Sequence, residues 1–152
     1  MVEGGEWFFF TAWGHPNVKA THRTTFEITR EDYLTPRGDC IIAVKSEVGA
    51  RDLPPWIKRG VREGGIVVIV ICARNICDAA IGWGSHGLTL EDPDRIIVRR
   101  SSHVDGRTLM IRSSKAARDI RRDLVRVLRE GVLVRVGVTV LPADRLALSQ
   151  QA

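Results

Sequence analysis

Chemically capable side chains are densest between residues 14 and 44, in the run GHPNVKATHRTTFEITREDYLTPRGDCIIAV. His15 and His22 are imidazoles able to move a proton near neutral pH, which makes them the candidates for a general base. Asn17 and Thr24 add neutral donors and acceptors. Arg37 offers a planar fork for a carboxylate or phosphate, and Asp39 a carboxylate that would orient an arginine or a ligand hydroxyl. Further along, Arg107 shares a strand face with Leu109 and Ile111, so an inward guanidinium would need a carboxylate partner, for which Asp39 is the candidate. Taken alone, His22 beside Thr24 reads as a core histidine satisfied by a hydroxyl. The whole set either closes on itself as a buried network or converges on a ligand. The second reading predicts a pocket built from residues 14–24 and 35–40 that binds a small polar or phosphorylated molecule.

Other apparent motifs carry less. Gly82-Trp83-Gly84-Ser85-His86-Gly87 has the G-x-G-x-x-G spacing, but a dinucleotide loop needs a helix to begin there, and Leu-Thr-Leu-Glu-Asp-Pro reads as strand and turn. Arg37-Gly38-Asp39 reads as a turn. The four histidines lack the i, i+2 or i, i+4 pairing that brings two imidazoles to one metal, and Glu27 falls on the strand face opposite His22. The sequence therefore predicts no metal site and no cofactor.

The elements that must position these groups are mostly strands. Trp7 to Trp13 is aromatic-rich and stops at Gly14-His15-Pro16-Asn17, residues that favour a turn. Val18 to Ile28 alternates, with Val18, Ala20, His22, Thr24, Phe26 and Ile28 on one face. Cys40 to Val44, Ile66 to Ala73, Ile76 to Ile81, Arg95 to Arg99, Arg107 to Ile111 and Val132 to Val140 complete about eight strands, which predicts a β-rich sandwich. Pro54-Pro55 opens a short helix through Glu63. A long amphipathic helix is predicted from Ser113 or Ser114 to Gly131, with an apolar face of Ala116, Ala117, Ile120, Leu124, Val127 and Leu128. Its other side would carry Arg118, Arg122, Arg126 and Arg129 as a basic stripe. That stripe is either a solvated face or a surface for an acidic partner. The competing function is then RNA or other nucleic-acid binding, with Trp7, Trp13 or Trp83 stacking on bases; a third is a structural subunit without chemistry.

Composition sets the limits. The chain has 152 residues and 44% hydrophobic content, enough for a single domain over residues 1–152 with one core. A formal net charge of +5 permits an anionic partner without requiring one. Of 23 basic residues only Lys19, Lys45, Lys58 and Lys115 are lysine, and the amides are limited to Asn17, Asn75, Gln150 and Gln151. Scarce amides suit a heat-adapted protein. The first residues lack the charge pattern of a signal peptide, and no apolar run is long enough to cross a bilayer, so a cytoplasmic protein is expected. Cys40, Cys72 and Cys77 then read as buried thiols. Cys72 and Cys77 also bracket a four-residue turn, which leaves a bridge across a hairpin as the alternative. No internal repeat is evident, residues 148–152 read as a frayed tail, and a homo-oligomer is compatible with all of this.

The segments FTAWGHPNVKATHRTTFEIT, LTPRGDCIIAV and DGRTLMIRSSKAARDIRRDLVRVL resemble an archaeal family known only as a domain of unknown function, over about Phe10 to Val140. The shared GHPNVxATHxTT and LTPRGDCII patterns are long and specific. The resemblance implies a mainly β fold similar to a jelly roll, and supplies no activity, cofactor or catalytic residue.

Overall fold

The computed structural model describes residues 6–144; the predicted frayed tail, 148–152, lies outside them. Eight strands and two helices run in the order β1 (Phe8–Trp13), β2 (Thr25–Thr29), β3 (Ile41–Ala43), α1 (Pro55–Arg62), β4 (Ile66–Ala73), β5 (Ile76–Trp83), β6 (Arg95–Arg99), β7 (Thr108–Met110), α2 (Arg122–Leu128) and β8 (Leu133–Leu141). They form two four-stranded sheets, β1-β8-β4-β5 and β3-β2-β6-β7. The pairs β2–β3 and β6–β7 are parallel. That departs from the antiparallel Greek keys of a jelly roll.

Alternation decides which residues enter the core. On β8, Val134, Val136 and Val138 are fully buried, as are Val67 and Ile69 on β4, and they meet Phe26, Ile28, Ile96, Val98, Ile42 and Leu109 of the other sheet in one continuous apolar cluster. Ile57 and Val61 of α1 and Leu124 and Leu128 of α2 join that cluster.

The chain is an internal duplication, which corrects the expectation that it holds no repeat. Strands β1–β3, a 3-10 turn at Ala50–Asp52, α1 and β4 recur as β5–β7, a 3-10 turn at Ala117–Asp119, α2 and β8. Exchanging the halves returns each sheet order to itself, reversed. Left-handed residues recur in equivalent places: Ala20 and Leu90 (φ 50° and 53°), Lys45 and Arg112 (53° and 51°), Gly64 and Gly131 (80° and 73°). The isolated bridges Trp13 to Val44 and Trp83 to Ile111 are likewise a matched pair. Equivalents lie 70 residues apart through β2 and β6 (Trp13 on Trp83, Thr25 on Arg95) and 67 apart afterwards (Ser46 on Ser113, Arg62 on Arg129). A local two-fold axis therefore passes through the pair Glu27–Ile97 in one sheet and the pair Val70–Gly137 in the other.

The halves are interleaved. β1 pairs with β8 and β4 with β5, each with a strand of the other half. Gly14 donates its N–H to Val132 and Gly84 its N–H to Gly65, again across the halves.

Two predicted elements are shorter than their periodicity suggested. The Val18 to Ile28 strand begins only at Thr25, because Ala20 takes a left-handed conformation that no strand can contain. The long amphipathic helix does not form. Ala117–Asp119 is one 3-10 turn, Ile120 (ψ 141°) and Arg121 (ψ 129°) are extended, and α2 starts at Arg122. The first half has Leu53-Pro54 in the same place. Arg122 turns back into this break, donating to the carbonyls of Ile120 (2.9 Å), Ala117 (2.9 Å) and Ala20 (3.0 Å). Arg118 lies on the 3-10 turn, so the four arginines are not one helical stripe. Cys72 and Cys77, opposite each other in the β4–β5 hairpin, are bridged, which selects the alternative that the compartment argument disfavoured.

Candidate functional site at the seam of the duplicated sheet

The predicted pocket segments are brought together, though by backbone. Thr21 and His22 both donate N–H groups to the Asp39 carbonyl, and Asn17 Nδ2 donates to the Leu34 carbonyl at 2.7 Å. His15 Nδ1 accepts the Asn17 N–H at 3.0 Å, and His22 Nδ1 accepts from the N–H groups of Thr24 and Thr25, both at 3.2 Å. Each imidazole thus spends its basic nitrogen on closing a turn, which places the proton of the neutral ring on Nε2. A general base needs that lone pair free. Thr24 and Arg37 are exposed, and Asp39 is half-buried. Arg107 does meet a carboxylate, but it is Asp105, at 3.0 Å, rather than Asp39. Asp105 wins because it stands two residues away in the loop that enters β7.

The structure gathers a different polar set on the face of β3-β2-β6-β7 turned away from the core. Phe26 and Ile28 point inward from β2, so Thr25, Glu27 and Thr29 take the opposite face, and all three are buried. On β6 the same parity turns Arg95, Ile97 and Arg99 toward that face. The loops before β3 and β7 bring Cys40 and Arg107 alongside. Their carbonyls occupy equivalent positions, Cys40 accepting from the Glu27 N–H and Arg107 from the Ile97 N–H, both at 2.8 Å. The seam therefore reads Cys40, Glu27, Ile97, Arg107 across β2, β6 and the loops that enter β3 and β7.

Two charge clusters share this surface. Asp105 receives Arg99 (2.9 Å), Arg107 (3.0 Å) and the Thr108 hydroxyl (2.7 Å), with His103 Nε2 at 3.5 Å. Desolvation works against its charge, yet the hydrogen bonds from Thr108 and Arg107 and the positive charge of Arg99 hold the carboxyl far below its usual range. Arg95 lies 3.6 Å from Glu27 and 3.4 Å from Glu31. Glu27 goes the other way: burial raises its pKa, and the charges of Arg95 and Arg107 do not offset that. Cys40 Sγ faces Glu27 Oε1 at 3.8 Å, and its thiol is pushed up to about 11, by burial first and by Glu27 second. A thiol so placed is protonated at neutral pH and is not a nucleophile. The result is a buried acid and thiol with two guanidiniums beside them that are over a third exposed, Arg95 at 37% and Arg107 at 38%.

Sequence reasoning found Arg107 and the neighbourhood of Cys40 but missed Glu27, Glu31, Arg95, Arg99 and Asp105. The signal was present. Arg-Ile-Ile-Val-Arg places two arginines on one face of a strand, and Thr-Phe-Glu-Ile-Thr places a carboxyl in the matching row. No three His, Cys, Asp or Glu side chains gather at metal-binding distance among the described residues. No described helix is long and apolar enough to cross a membrane.

The chain belongs to the family described as Domain of unknown function (DUF371), whose model matches residues 10–141. The match covers both halves of the duplication. It is also similar to uncharacterized protein MJ0206 of Methanocaldococcus jannaschii, with 42% identity over 124 residues, 82% of this chain and 92% of that protein.

Proposed function

We propose that the seam binds a small anionic molecule bearing a carboxylate or phosphate. Arg107 and Arg95 would supply the guanidiniums over a floor of Glu27 and Cys40, with Arg37, exposed and three residues before Cys40, as a further candidate. Asp39 directly precedes Cys40, Asn17 is tied to the same loop through the Leu34 carbonyl, and Thr24 directly precedes β2. The observation that carries this reading is the duplication itself. At the axis the second half uses Ile97 where the first uses Glu27, so the scaffold's own repeat meets that position's packing demand with an apolar residue. A carboxyl raised by burial at such a place weakens the fold, and residues that are poor for stability concentrate at functional sites. The reading is a binding site rather than a catalytic one, because both imidazoles are engaged and the thiol is protonated.

Sulfate is a suitable probe, since its charge does not change over the pH range concerned. At constant ionic strength its binding should tighten as the pH falls through the raised Glu27 pKa, because protonation removes the floor's negative charge. Arg107→Gln should weaken it by about tenfold or more, the contribution of one charge-assisted hydrogen bond. Titration calorimetry decides: sulfate binding unchanged in Arg107→Gln, or a steeply salt-dependent affinity for single-stranded RNA in place of any sulfate binding, would contradict the proposal.

A further inference from the structure

The outward face of the other sheet, β1-β8-β4-β5, carries almost no charge. Its rows run Phe9, Gly137, Val70, Ala79, then Thr11, Arg135, Cys72, Cys77, then Thr139, Val68, Ile81, with Trp13 and Leu133 at one end. Arg135 is the single ionised side chain in those rows. Phe9 is 69% exposed, Ile81 49% and Leu133 44%. At about 4.8 Å per strand and 3.3 Å per residue the face measures roughly 500 Å² in projection, more as accessible surface. Apolar patches of that extent mark interaction sites, and the size approaches the roughly 800 Å² that each partner contributes to a stable interface.

The shape of this face specifies its occupant. The local two-fold axis passes through Val70 and Gly137, so the two sides of the face would match if the repeats were identical. They differ in one respect. On the β1 side, Phe9 lies over Gly137, where a Cβ would come within 2.9 Å of its ring, and Trp7 stacks on Phe9 at 6.2 Å. On the β5 side the position equivalent to Phe9 is Ala79, beside Val70. The face therefore has an aromatic ridge along one edge and low relief along the other; toward the β4–β5 turn an open recess of about 580 Å³ is bounded by Phe9, Val70, Cys72, Arg74, Asn75 and Arg135.

From this we infer that the face is covered by a second copy of the chain, packed sheet to sheet about a two-fold axis parallel to the strands. Each copy's β1 ridge then lies over the partner's β5, and Phe9 of each fills the space that Ala79 leaves. An interface related by a two-fold axis must carry knob and hole on one patch, and this one does. Nucleic acid fits less well: the aromatics suit stacking, but phosphates need several cations, and these rows hold Arg135 alone.

Sedimentation equilibrium of the full chain tests this. The wild type should be a dimer, and Phe9→Lys or Ala79→Asp should each weaken it by about 100-fold or more, as expected for a residue at the centre of an interface. The two together should restore dimerisation, because the ammonium introduced on β1 of one copy then faces the carboxylate introduced on β5 of the other. Both positions are exposed in the single chain, and circular dichroism checks that the variants are folded. Hydrogen exchange on the wild type, with protection of β1 and β5 that grows with protein concentration, gives a readout independent of any variant. A monomeric wild type, a dimer indifferent to both substitutions, or a double variant that stays monomeric would overturn the inference.

Discussion

Asp105→Ala is expected to cost about 1–3 kcal/mol of unfolding free energy, the range for leaving buried hydrogen-bonding groups without their acceptor. Its carboxylate is the common acceptor for Arg99, Arg107 and Thr108. Thr108 is fully buried and the Arg99 side chain only 12% exposed, so water cannot readily replace what is lost. Arg107, more open to solvent, will re-solvate and adds little to the cost. The pH dependence follows the same carboxyl. Its folded pKa lies below the unfolded value of 3.8, so its contribution is present above that value and lost as the pH falls below it. Wild-type denaturant melts should show this acid limb, and Asp105→Ala should lack much of it. A cost under about 1 kcal/mol would mean that the cluster is a solvated surface pair.

Gly84→Ala should be at least as severe. A Cβ there would lie 2.1 Å from the Val61 carbonyl oxygen, at the end of α1, and the equivalent Gly14 would meet the Leu128 oxygen at 2.0 Å, at the end of α2. The obstruction is backbone, which cannot step aside as a side-chain tip does. Both glycines also donate N–H groups across the halves, so relief by displacement would break the interleaving. Each substitution should cost about 3 kcal/mol or more, at or beyond the upper end for forced overpacking. Gly64→Ala and Gly131→Ala offer the contrast, since nothing stands within 4 Å of a Cβ there and only the left-handed backbone opposes it, at about 1 kcal/mol. Chemical denaturation of the four variants checks both the size and the pairing of effects. A Gly84→Ala protein as stable as wild type would deny the close approach of the two halves.

The strands were legible because their alternation is a local property. Val at each even position from Val132 to Val140 fixed the buried face of β8, and the run from Ile66 to Ala73 fixed β4. The helix was over-read because three- and four-residue spacing from Ala116 to Leu128 cannot reveal the extended break at Ile120 and Arg121. That break shows only when Arg121 is aligned with Pro54. Ala-Arg-Asp at 50–52 and 117–119, Trp-Gly at 13 and 83, and Arg-Glu-Gly at 62 and 129 were the traces of the duplication. The first of these has a direct physical cause. Asp52 and Asp119 each accept a backbone N–H three residues back, from Gly49 and Ala116, at 2.9 Å. The site was half legible. Arg107 needed a carboxylate, but which one depended on the loop entering β7. His22 drew attention through its chemistry, whereas Glu27, on the opposite parity, became prominent only once the axis between the halves was visible.

The proposed anion site requires that Glu27 serve binding and not folding. Glu27→Ile, which installs the residue that the second half carries at Ile97, tests that directly through denaturant melts across pH. In the wild type, burial raises the Glu27 pKa above 4.5, so stability falls as the pH rises from that value through the folded pKa, and the penalty persists at neutral pH. Glu27→Ile should lose this fall and be at least as stable as the wild type at neutral pH. A loss of about 3 kcal/mol or more, the cost of breaking a structural buried ion pair, would contradict the account and assign the seam to the fold.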